Sequence, residues 1–177
     1  MGLTCSIRRC RAAFAAAALS MLTLPAPRAA AHGHEHEHAR SELGVSGGAV
    51  YDFGHGRWGE GVHVHYFRKA GGEHSRWSLG GMAEQVWSED RHLTLGLGAK
   101  LEVVERLELG VMPGVTLFGH DSAHRHGTEA QLSLHLELVY DLLRWRRLHC
   151  GPSVDYALIP AGGHAHVTLG VHVAVCF

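Results

Sequence analysis

The chain has 177 residues, 46% apolar, with 23 glycines, 17 histidines and only two lysines, Lys69 and Lys100, a composition that excludes a disordered chain, a collagen and a coiled coil. The net charge of −1 averages two unlike regions: residues 1–31 hold Arg8, Arg9, Arg11 and Arg28 without an acid, and the remainder carries 12 basic and 17 acidic residues, a net of −5. Nucleic-acid binders show the opposite balance, so no nucleic-acid partner is expected.

In chain order, Arg8, Arg9 and Arg11 precede the apolar run Ala12 to Leu24. It has the length of a signal-peptide core and is well short of the ~20 apolar residues of a spanning helix. Pro25 and Pro27 end it, and Ala29, Ala30 and Ala31 supply small residues at a cleavage position. Residues 1–31 therefore read as a signal peptide removed after Ala31, with an uncleaved anchor as the alternative. The mature chain is then exported, and either soluble or a β-barrel. Cys5 and Cys10 leave with the signal, while Cys150 and Cys176 remain in a compartment that permits disulfides.

Residues 32–40 open with HGHEHEH, from His32 to His38, a low-complexity tract without apolar periodicity that reads as a mobile tail. Residues 41–177 read as the folded domain. There, apolar residues alternate with small or polar ones, the period of a strand. The clearest runs are Leu93 to Val103, Leu107 to Leu117, Ala130 to Tyr140 and Ala165 to Phe177, with weaker ones at 42–53, 62–68, 76–87 and 149–159. Turn residues and charges separate them at 54–61, 69–74, 88–91, 104–106, 119–128, 141–147 and 160–163. Eight strands with short connections predict an all-β fold, an eight-stranded antiparallel up-and-down barrel.

Alternation alone leaves open whether the apolar face lines a core or meets lipid. Three features favour lipid and hence a transmembrane barrel. Glycines such as Gly44, Gly80, Gly98 and Gly170 crowd the polar face, which suits a narrow lumen. Aromatic residues gather near strand ends: Tyr51, Phe53, Trp58, Trp87 and Tyr156 toward one rim, Tyr66, Trp77, Tyr140, Trp145 and Phe177 toward the other. The longest connections, 54–61 and 119–128, fall on the rim opposite both ends of the barrel domain.

A signal peptide, eight amphipathic strands and a last strand carrying Val171, Val173, Val175 and Phe177 resemble the small bacterial outer-membrane barrels of the OmpA-transmembrane and OmpX type. The resemblance covers 41–177 and is architectural. It implies recognition of Phe177 by the barrel-assembly machinery, contact with outer-membrane lipid, a periplasmic tail, and the loops 54–61, 88–91, 119–128 and 160–163 at the surface of a Gram-negative cell.

With the apolar face outward, the lumen receives His63, His65, Glu84, Lys100, His135, Glu137, Asp155, His166 and His172, among others. The plain expectation is a hydrogen-bonded and ionic plug. The pairs His63/His65 and His164/His166 each sit two apart on one strand face, a spacing that can set two imidazoles around one ion.

The tail is more specific. Cleavage after Ala31 would leave His32-Gly33-His34 at the amino terminus, where the α-amine, two deprotonated amides and the third-position imidazole form a square-planar site for Cu(II) or Ni(II). His36 and His38 add weaker ligands for Zn(II). The alternative is a solvated tail with incidental affinity, and no cofactor is required.

Ser133, His135 and Glu137 share one face, loosely similar to the barrel-embedded lipid A deacylases. Their order departs from that family's His-x-Ser, and residues two apart on a strand lie ~7 Å apart, too far for a direct nucleophile–base hydrogen bond. A lipid hydrolase is therefore the weakest reading. The expected protein is an outer-membrane barrel with a structural or surface-binding role and a metal-binding tail; a soluble periplasmic metal-binding barrel is the alternative. A Cys150–Cys176 disulfide would need a slip or bulge near Gly151-Pro152.

Overall fold

The computed structural model describes residues 40–71, 75–88, 91–122 and 125–177, and of 120–122 and 125–127 the backbone only. The signal peptide read at 1–31 and the tail histidines His32, His34, His36 and His38 lie outside the described residues.

Among the described residues nine strands form one sheet: β1 Ser41–Asp52, β2 Arg57–Lys69, β3 Trp77–Trp87, β4 His92–Val104, β5 Leu107–Ser122, β6 Arg125–Tyr140, β7 Leu143–Trp145, β8 Leu148–Ile159 and β9 His164–Cys176. Consecutive barrel strands pair antiparallel, β6 pairs with β8, and β1 pairs with β9 from Glu42↔Cys176 to Asp52↔His166. Eight strands thus close on themselves and leave no edge, the arrangement that satisfies every ladder group without water. At the seam Ser41 N donates to Phe177 O at 2.7 Å and Phe177 N returns to Ser41 O at 2.8 Å.

Side chains follow the alternation with inverted polarity. Leu97, Leu132 and Val171 are 75%, 73% and 56% exposed on the outer wall, while His65, Glu84 and Glu137 are each 1% exposed inside. The aromatics fall on two rims as expected. On the rim far from the chain ends, Tyr51 packs against Phe53 and Trp58 at 5.2 and 5.1 Å between ring centroids. On the rim that carries the ends, the Tyr66 hydroxyl lies 3.2 Å from Ser41 Oγ.

Two local expectations are corrected, and the condition set on the cysteine pair is resolved. The far-rim connections at 54–61 and 119–128 are shorter than read, because β2 begins at Arg57 and the β5–β6 ladder continues to Ser122↔Arg125. Beyond the apolar belt a strand needs only ladder partners, so glycine, histidine and charge there do not signal a loop. The connection 141–147 contains β7, a short ribbon that pairs with the start of β8, and its reversal places Arg146 at φ 54°. Finally, β8 and β9 pair without a slip from Leu148↔Val175 to Ile159↔His164, so Cys150 faces Val173 and both thiols are free.

Candidate functional site

Inward positions on all eight barrel strands converge on a packed lumen with two polar regions. Nearer the chain ends, Lys100 of β4 donates from Nζ to Glu42 Oε1 at 2.9 Å and to Glu108 Oε2 at 3.2 Å. His65 Nε2 lies 2.9 Å from the same Glu42 oxygen, and the His65 and His172 rings stack 5.1 Å apart at 7°. Gly44 makes this stack fit, since a Cβ there would meet the His65 imidazole and come within 2.8 Å of His172 Cε1. Ser46 Oγ bridges His172 Nδ1 at 3.1 Å and Glu137 Oε1 at 3.4 Å.

Toward the far rim the network is built from histidine and carboxylate. His135 Nδ1 lies 3.0 Å from Asp155 Oδ1. Glu84 Oε2 sits 3.6 Å from His166 Nε2 and 3.7 Å from His135 Nδ1, and the His92 ring lies 5.1 Å from that of His166. The two regions meet where His63 Nδ1 approaches Glu137 Oε1 at 3.7 Å. At the rim itself Asp52 accepts from the backbone of Gly54 at 2.8 Å, and its second oxygen lies 3.0 Å from His55 Nδ1; the His55 ring stacks on His164.

The lumen also holds what the sequence reading left out. Phe67, Met82 and Met112 form a buried apolar cluster among the polar groups. The signal for them was parity: Phe67 follows His63 and His65 on the inward face of β2, and Met82 precedes Glu84 on β3. Below Phe67 a cavity of about 70 Å³ opens between Glu42, Lys100, Glu102 and Glu108.

Of the residue pairs read from sequence, His63 and His65 do meet, with His63 Nε2 3.3 Å from His65 Nδ1. His164 and His166 part, one to His55 at the rim and one to Glu84 within. Ser133, His135 and Glu137 form no catalytic relay. Ser133 Oγ has no hydrogen-bond partner and His135 is held by Asp155 of the neighbouring strand.

At the rim near Ser41 and Phe177, Asp141 in the β6–β7 turn accepts from Arg144 Nη2 at 2.8 Å and Nε at 2.9 Å, with His149 Nδ1 3.2 Å away. Burial pushes this carboxyl up, but the hydrogen bonds and charges of His149 and Arg144 outweigh it and hold Asp141 below the usual carboxylate range.

A closed up-and-down barrel of eight strands, polar within and apolar without, is also the fold of small eight-stranded outer-membrane β-barrels. Two solved structures make the likeness concrete. Neisserial surface protein A superposes with a TM-score of 0.56 at 8% identity, covering 77% of this chain and 97% of that one. The N-terminal β-barrel domain of Pseudomonas aeruginosa OprF superposes at 0.54 and 10% identity, covering 77% and 98%. At such identities the likeness is one of fold. The sequence matches no protein-family profile and no curated protein.

Proposed function

We propose that the protein is an outer-membrane barrel with a structural or surface-binding role, its amino-terminal tail in the periplasm. The carrying observation is the inverted burial. A wall of Leu97, Leu132 and Val171 is a costly surface in water and an ordinary one in lipid. With the lumen packed, the role falls to the outer wall and the rims, and transport through a wide pore is not part of the reading. A catalytic role is not proposed either, because Ser133 and His135 are not joined. Recognition of Phe177 by the barrel-assembly machinery belongs to the same reading, as the last strand carries the alternating aromatic-ended pattern.

Fractionation of expressing cells tests it. Recovery in the outer-membrane fraction, with migration that changes on heating, is the expected result; release by osmotic shock would instead support a soluble periplasmic metal-binding barrel.

The tail is proposed to bind Cu(II) or Ni(II) through the amino terminus and His34 if cleavage follows Ala31, with His32, His36 and His38 available to Zn(II). Intact-mass measurement of the mature protein is decisive for the square-planar site at His34, because a chain starting at Ala31 has Gly33 in the third position, whereas a start at Ala30 would put His32 there instead.

A further inference from the structure

Three strands aim ligand-bearing side chains at one point in the far half of the lumen. Glu84 is near the far end of β3, His92 opens β4, and His166 of β9 reaches across the narrow barrel. One ligand atom from each lies within 4.8 Å of the other two. Glu84 and His166 are 1% and 3% exposed, and neither Glu84 Oε2 nor His166 Nε2 has a hydrogen-bond partner. Their separation of 3.6 Å is too long for a hydrogen bond. It is close to the ~3.4 Å between two ligands that each lie ~2.0–2.1 Å from a tetrahedral ion.

Charge points the same way. Among the described residues Lys100 is the one buried lysine or arginine, and its ammonium lies between Glu42 and Glu108 in the other half. That ammonium, 3.4 Å from His65 Nε2, already takes the cation position of the otherwise comparable Glu42–His65–His172 set. In the far half the ion-pair partners of Glu84 and Asp155 are all histidines. Two buried carboxylates whose ion-pair partners are histidines can be compensated by protons on those rings or by a bound cation, and one divalent ion supplies both charges.

We propose that Glu84, His92 and His166 form a binding site for a divalent transition-metal ion, of which Zn(II) suits the nitrogen and oxygen donors best. His135 stands beside it, its Nδ1 3.0 Å from Asp155 Oδ1 and 3.7 Å from Glu84 Oε2. Phe118 covers the site, its ring 5.3 Å from His92 and 5.6 Å from His164. The rim set of Asp52, His55 and His164 adjoins that cover through His164. The site is independent of the tail and of the compartment in which the barrel resides.

The test separates it from both. The mature full-length protein, folded in detergent, is titrated with Zn(II) and with Co(II) as a spectroscopic stand-in. It is compared with a variant carrying His32→Asn, His34→Asn, His36→Asn and His38→Asn, and with that variant also carrying His166→Ala or the near-isosteric Glu84→Gln. The tail variant is expected to retain one equivalent with the visible absorption of four-coordinate Co(II). Loss of a residue that only hydrogen-bonds a ligand weakens metal sites by about 10–100-fold, so removing the ligand His166 itself should weaken this one by at least ~100-fold. Heat-dependent migration confirms that each variant is folded, and Glu84→Gln serves if His166→Ala does not fold. No metal uptake by the tail variant overturns the proposal, as does unchanged affinity in the folded lumen variants.

Discussion

The two halves of the lumen solve one electrostatic problem with different cations. Near the chain ends a single lysine, 3% exposed, is shared by Glu42 and Glu108. Toward the far rim Glu84 and Asp155 face histidines whose charge is conditional. Permanent charge makes the first half a fixed bolt, because removing one partner strands the others in a dry interior. The second half can take its positive charge as protons or as a metal ion, so it is the half able to respond to its surroundings.

The sharpest way to break this contrast is Lys100→Met, which leaves two carboxylates uncompensated and is expected to cost about 3–5 kcal/mol in chemical unfolding of the folded barrel. Adding Glu42→Gln should return part of that loss; a loss under ~1 kcal/mol for the single variant would show that Lys100 is not the bolt. Next in size is Leu97→Arg, which touches neither half and places charge on the lipid face. It should cost about 2–4 kcal/mol in vesicles if Leu97 lies near the bilayer midplane. Glu84→Gln in metal-free protein should cost less than Lys100→Met, about 1–3 kcal/mol, since its histidine partners can lose their protons. Zinc should then raise the melting temperature of the parent and not of that variant.

The smallest effect is expected at Asp141→Asn, about 1 kcal/mol or less at neutral pH, because Arg144 is partly exposed. Its pH dependence has a definite sign. The folded carboxyl titrates below its unfolded value, so its contribution is present above the ordinary aspartate pKa of about 3.9 and fades as pH falls through the depressed one. Asp141→Asn should therefore flatten the decline in melting temperature below pH 4, and an unchanged slope would remove the assignment.

Strand number, inversion and both aromatic rims were legible because the two-residue period reports directly which side chains share a face. The inward placement of His63, His65, Lys100 and Glu137 followed from the same parity. Partnership across the lumen was not legible: Ser46 meets Glu137 and Glu84 meets His166 only through the register of several ladders and the narrowness of the barrel. Phe67, Met82 and Met112 were hidden because an apolar residue on the polar face looks like noise in an alternating pattern. The parting of His164 from His166 reflects depth: two residues move a side chain by ~7 Å, enough to separate rim from interior. The ribbon β7 was read as connection because Leu143 to Trp145 is three residues long in a charged segment, too short to show a period.

The seam between β1 and β9 bears on how the barrel is made. Glu42 pairs with Cys176, so the contact that closes the cylinder joins residues separated by most of the domain's length. The other barrel neighbours are hairpin partners in sequence, save β6 and β8, which flank the short β7. Synthesis can therefore yield successive hairpins early, whereas the continuous hydrogen-bonded belt forms only after the last strand returns to the first. Until then two long edges stand open, each a template for pairing with a foreign strand. Assembly is consequently a zippering with one slow, obligatory final stitch, and whatever guards those edges in the interval governs the yield of closed barrel.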